Sequence, residues 1–169
     1  MKDVQLIAYS MVHEYLMGRP PSAKTYNDRI VAQKIGYLTQ SVGIHLGENI
    51  NYFWHKRGPY SRVLTSMLFK IEDEKEFFKE QSKRLVIKKA LKPKLDFVKE
   101  IIEHRPQFCS EVYWLEIAAS LMFISKEHLT IDKQNLKEIL LKRKPFLNEY
   151  SEAIDKANDI LFNCAKKRI

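Results

Sequence analysis

The stretch from Val112 to Ile124 constrains the fold most. Val112, Trp114, Leu115, Ile117, Ala118, Ala119, Leu121, Met122, Phe123 and Ile124 leave almost no polar side on a helix over 110–124. A helix that is apolar round most of its circumference has to be covered on all sides, so it predicts a central element inside a helical array. It is too short to cross a bilayer, which takes roughly 20 consecutive apolar residues. No longer run exists in the chain, and no membrane partner is expected.

The flanking segments supply the covering helices. Val4, Ile7, Ala8, Met11, Val12, Tyr15 and Leu16 recur at spacings of three and four over 4–17, and Gly18-Arg19-Pro20-Pro21 ends that helix. A second helix is predicted over 25–42, closed by Gly43. The period then changes, and 44–59 reads as a short strand, a hairpin or an irregular insert ending at Gly58-Pro59. Ser61 is placed to cap a helix running through Ile71. The charged segment 73–82 reads as a loop or a frayed end. A basic amphipathic stretch over 85–95 leads to a helix restarted by Pro93 and running to about Glu103. Further helices are predicted from Asp132 to Arg143 and from about Asn148 to Lys166, the latter with Cys164 at core spacing. The sum is a mainly α, single-domain array of about six to seven helices over residues 1–169, with a small β-hairpin or irregular insert at about 44–59.

The 169 residues match the typical domain size of about 100 to 200 residues. The net charge of +8 is uneven, with +4 of it between residues 76 and 105, which makes that segment the first place to look for a basic surface. Only two cysteines occur, Cys109 and Cys164, too few for a disulfide framework; free buried thiols and a cytoplasmic location are expected. The opening residues Met1-Lys2-Asp3 do not read as a signal peptide.

Catalytic patterns are thin. His13-Glu14 begins like a zinc-protease helix, but the second histidine falls on Met17, so His13 reads as a helix-surface residue. The five glycines are too scattered for a phosphate-cradling loop, and no Cys-x-x-Cys pair occurs. No catalytic residue, metal ligand or cofactor is predicted. A hydrolase assembled from His55, His104 and distant acids is the enzymatic alternative.

Two segments carry binding chemistry. Trp54, His55, Lys56, Arg57, Tyr60 and Arg62 interleave aromatics with cations at a Gly-Pro turn, which offers stacking planes beside phosphate contacts. The competing reading packs Trp54 and Tyr60 under the turn and points Lys56 and Arg57 at water. The second segment holds Arg84, Lys88, Lys89 and Lys92. If helical, it would set Arg84, Lys88 and Lys92 on one cationic stripe; otherwise it is a solvated face.

Gln33-Lys34-Ile35-Gly36-Tyr37-Leu38, followed after a gap by Gly58-Pro59-Tyr60-Ser61, resembles the signature of YwgA-like bacterial and archaeal proteins. It is also similar to the Panacea-type (SocA-like) antitoxin domain, although Gly36 stands where that pattern has a large apolar residue. Trp114–Leu121, Lys142–Phe146 and Ala153–Ala157 look like the distal half of the YwgA-like group. The resemblance implies a mainly helical domain with a small β element and no established catalytic centre, and the Panacea group further implies an antitoxin or adaptor role, often beside mobile elements. Its motif positions here are Gln33, Lys34, Tyr37, Gly58, Pro59 and Ser61, with Trp54 and Tyr60.

The expected function is therefore a non-enzymatic regulatory protein that binds a protein partner, such as a toxin or a phage-defence component. The alternative is a winged-helix-like nucleic-acid-binding regulator using the clusters at 54–62 and 83–94.

Overall fold

In the computed structural model, residues 3–166 are described for their backbone and residues 3–163 for their side chains. The described residues form eight helices: α1 (Asp3–Met17), α2 (Tyr26–Ser41), α3 (Arg62–Asp73), α4 (Lys75–Lys83), α5 (Lys92–Glu103), α6 (Glu111–Glu127), α7 (Lys133–Arg143) and α8 (Ser151–Lys166). Between α2 and α3 lies an antiparallel hairpin of β1 (Phe53–His55) and β2 (Gly58–Tyr60). The protein is thus mainly α, with the small hairpin inside the expected insert. Residues 44–52 are irregular, anchored by buried Ile44, Leu46 and Ile50.

The all-round apolar run is the central helix, α6. It packs against α2, α5, α7, α8 and β2, and α1 closes the other side of the array through α2, α3, α4 and α5. Trp114 is fully buried, and its indole N–H donates to the Ile101 carbonyl at 2.8 Å, so its polar atom is satisfied inside the core. Side-chain caps start the helices where the sequence placed them. Thr25, Ser61, Ser110 and Asp132 accept from backbone N–H groups in the first turns of α2, α3, α6 and α7. At Gly36 a Cβ would lie 2.6 Å from Leu64 Cδ2 and 2.7 Å from the Tyr52 hydroxyl, so the missing side chain lets α3 and the insert close onto α2. That contact explains glycine at a position where the resembling pattern has a bulky residue. No helix among the described residues is long and apolar enough to cross a membrane.

The structure corrects four expectations. Segment 73–82 is not a loop: most of it is α4, pinned by Phe78, its one buried residue. A single anchor per helix leaves no periodicity to read. The basic stretch is not one helix either. Residues 85–88 lack regular structure, Lys88 is extended (φ −57°, ψ 133°), and a 3-10 turn covers only Lys89–Leu91 before α5. Arg84, Lys88 and Lys92 therefore do not share a helical stripe; the β-branched pair Val86-Ile87 weakens helix there. His13 is buried rather than on the surface, and its Nδ1 lies 2.9 Å from the Arg19 carbonyl. The last helix begins at Ser151, after a 3-10 segment over Pro145–Tyr150. Cys109 is a free, buried thiol, whereas the Cys164 side chain lies outside the described residues.

Candidate binding site at the hairpin

The hairpin turns at Lys56-Arg57, with Phe53 opposite Tyr60, Trp54 opposite Pro59 and His55 opposite Gly58. Gly58 has φ +94°, and a Cβ there would lie 2.7 Å from the Ser120 hydroxyl oxygen, so conformation and space both demand glycine. The hairpin thereby lies directly on α6.

Under the turn is a charged group that no single segment of the sequence announces. Glu116, in the middle of α6, is fully buried. Its Oε1 accepts from Arg57 Nε and stands 4.0 Å from Lys144 Nζ, while Oε2 is buried without a hydrogen-bond partner. Lys144 donates to the Lys56 carbonyl at 2.6 Å, and Lys34 donates to the Pro59 carbonyl at 2.8 Å. Lys34 and Lys144 are each 2 % exposed. Burial lowers the Lys34 amine to about 7, against the opposing pull of Glu116, and burial likewise lowers Lys144. Three cations, two of them buried, thus share one carboxylate.

Gln33 locks the far end of the hairpin. Its side-chain amide donates to the Ser61 carbonyl and to Thr65 Oγ1, and its Oε1 accepts from the Ser61 N–H, all at 2.9 Å. Tyr37 packs edge-on to Tyr52 at 5.2 Å and near Phe123 at 5.9 Å. Gln33, Lys34 and Tyr37 therefore share one job, seating the insert and hairpin on α2, and Pro59 and Ser61 receive those contacts.

The outer face differs. Trp54 is half-buried against Phe123, with Arg143 Cζ and Lys144 Nζ 5.0 and 5.1 Å from its ring centre. His55 leans on Tyr60 with ring centres 5.0 Å apart. His55, Lys56 and Arg62 are exposed, and Phe53 is 70 % exposed. Packing under the turn thus holds in part for Trp54 and Tyr60, but Arg57 is turned inward to Glu116. A cleft of about 410 Å³ opens between α2, the hairpin and the start of α3, with Lys34, Arg57, Arg62, Arg29 and His55 among its lining and no carboxylate. Its rim carries Tyr26 and Phe69, which flank the Arg29 guanidinium at 5.9 and 6.0 Å.

The two basic segments are not brought together. A side chain at Gly43 would lie 3.3 Å from Lys94 Nζ, which puts the 83–94 segment by the C-terminal end of α2. Arg29 and the cleft are near its other end, roughly 20 Å away at 1.5 Å per residue. Arg84, Lys88, Lys89 and Lys92 are all exposed. His55 and His104 also stay apart, on elements that do not pack together; His104 ends α5 with its Nδ1 against the Glu100 carbonyl. Sequence reading missed Glu116, Lys144, Ser120, Arg29, Tyr26 and Phe69. The available signal was Glu116 itself, a carboxylate inside an otherwise apolar helix. No family model matches this chain, and neither a curated protein nor a solved structure matches it.

Proposed function

We propose that this chain is a non-enzymatic interaction protein that binds an acidic surface of a protein partner through the hairpin face. One observation carries the reading. Exposed Phe53, Tyr26, Phe69 and Phe146 stand among Arg29, Lys56 and Arg62, with Arg143 paired to Glu127, and three clefts around the hairpin have no carboxylate in their lining while a fourth, beside Phe53, includes Glu127. Aromatic and arginine side chains are the groups enriched at the centres of protein interfaces, where they combine contact area with directed hydrogen bonds. The resemblance to Panacea-type antitoxin domains supports the same reading and suggests a toxin or defence component as the partner.

The test is affinity capture with wild type and with the double variant Phe53→Ser/Arg62→Glu, both surface positions. A partner held by wild type and lost by the variant, with acidic residues cross-linked to the hairpin, is the expected result. Retention by the variant would remove the hairpin face from consideration.

A second reading, nucleic-acid binding, is favoured by the exposed 83–94 segment, which contains Arg84, Lys88, Lys89 and Lys92 and no acid. Labelled duplex DNA and single-stranded RNA would report it by anisotropy across salt concentrations. Lys88→Glu with Lys92→Glu should lower the salt slope by about one unit per lost phosphate contact. An unchanged slope sinks this reading.

A further inference from the structure

The charge around Glu116 does not balance. Lys34, Arg57 and Lys144 face one carboxylate, and the cleft in front of them adds Arg29 and Arg62. Burial relieves part of the cost of these cations by lowering the Lys34 amine to about 7, and a bound anion would relieve the rest by holding the amine protonated. Glu116 takes up Arg57 and lies near Lys144. Lys34 lies at the cleft floor, where its bond to the Pro59 carbonyl uses one of three donor positions. Arg29 donates one bond to the Ala23 carbonyl, which leaves most of its fork free.

The walls add a second requirement. Tyr26 is 55 % and Phe69 47 % exposed, with ring centres 5.9 and 6.0 Å from the Arg29 guanidinium, and the Tyr60–His55 pair lines the same cleft. At about 410 Å³ the cleft is within the usual range for a small-molecule site, larger than an isolated oxyanion needs. Flat faces on either side of a cationic floor accept a ring, and a fork of arginines with a lysine suits three acceptor oxygens better than the two of a carboxylate.

We propose that this cleft binds a phosphate monoester whose organic part includes a flat ring, with the phosphoryl group among Lys34, Arg57 and Arg62 and the ring against Tyr26 and Tyr60. The inference rests on the hairpin face being a binding surface and adds a ligand that face would take. The ring and phosphate can arrive as a nucleotide, with a ribose between them, or as a phosphorylated tyrosine of the partner, with the phosphate on the ring itself, and the two probes below distinguish these sources.

The experiment is calorimetric titration of the full chain with adenosine 5′-monophosphate, with O-phosphotyrosine amide, with adenosine and with inorganic phosphate. One ring-bearing phosphate should bind at least about tenfold more tightly than inorganic phosphate or adenosine, a gap that ring and phosphate contacts together supply. Arg62→Gln and Tyr26→Leu, both at exposed positions, should each weaken it severalfold while leaving the melting curve unchanged. A nucleotide preference identifies a free metabolite, and a phosphotyrosine preference identifies a modified partner. If neither probe exceeds inorganic phosphate, or if both variants bind like wild type, the inference is wrong. In that case a partner still captured through Phe53 and Arg62 leaves the hairpin-face reading intact.

Discussion

Replacing Lys34 by methionine should flatten the pH dependence of stability above neutrality. Methionine has a similar length and no charge, so it removes the amine while keeping the packing under the hairpin. In the folded chain burial lowers the amine from 10.5 to about 7. The unfolded chain therefore binds more protons than the folded one between about pH 7 and pH 10.5, and stability rises with pH across that window. The penalty for the buried charge is fully present below pH 7 and disappears as the pH approaches the unfolded value. Each pH unit inside the window changes the difference by about 1.4 kcal/mol, so from about pH 7.5 to about pH 9.5 wild type should gain about 2 kcal/mol relative to Lys34→Met. Losing the hydrogen bond to the Pro59 carbonyl costs the variant about 1–3 kcal/mol, but that cost is independent of pH and leaves the slope untouched. Urea denaturation at several pH values, followed by helix circular dichroism, measures both quantities. Parallel stability curves for the two proteins would show that Lys34 stays charged in the fold, and the argument from burial would fail.

Three further perturbations follow from the same geometry. Glu116→Gln strands Arg57 and Lys144 without their carboxylate; a loss of about 3 kcal/mol in urea unfolding is expected, since breaking a buried pair from one side leaves the other charge uncompensated. A loss below about 1 kcal/mol would mean that solvent already serves both cations. Gly58→Val must adopt φ +94° and place its Cβ against Ser120, so the isolated protein should lose roughly 2 kcal/mol or more. An unchanged melting temperature would count against a structural role for that turn. His13 is lowered by burial to about 4 from 6.5, so the unfolded chain binds the extra proton between those values and stability falls as pH drops through them. His13→Gln should remove about 3 kcal/mol of that acid sensitivity, read from denaturation at about pH 4 and about pH 7. Identical acid limbs would overturn the assignment.

Much of the fold was legible because its signals are local. The all-round apolar helix, the cap at Ser61, and the breaks at Gly18–Pro21 and Gly43 each act within a turn or two of chain. α4 was not legible, since Phe78 alone ties it to the core and its other residues are those of a solvated loop. The helical reading of 85–91 failed for the opposite reason: its charges have helical spacing, but Val86-Ile87 and an extended Lys88 do not propagate the turn. At the site, the segment 54–62 was visible as chemistry, and Gln33, Lys34 and Gly58 were visible through their resemblance to a motif. Their division of labour was not. The burial of Lys34 and Lys144 was not legible, because nothing near them in the chain announces it.

The carboxylate of Glu116 has a consequence for synthesis. It gathers Lys34, Arg57 and Lys144, which the ribosome delivers in that order, with α3 to α7 between the last two. Until residue 144 has left the exit tunnel, the hairpin has no lysine from the α7 end to hold the Lys56 carbonyl. Helices can form locally as they emerge, but the turn that carries the binding groups gains this contact only once Lys144 is available. A product that stops before residue 144 lacks the lysine that holds the Lys56 carbonyl, so the turn carrying the binding groups depends on a contact made 88 residues further along the chain.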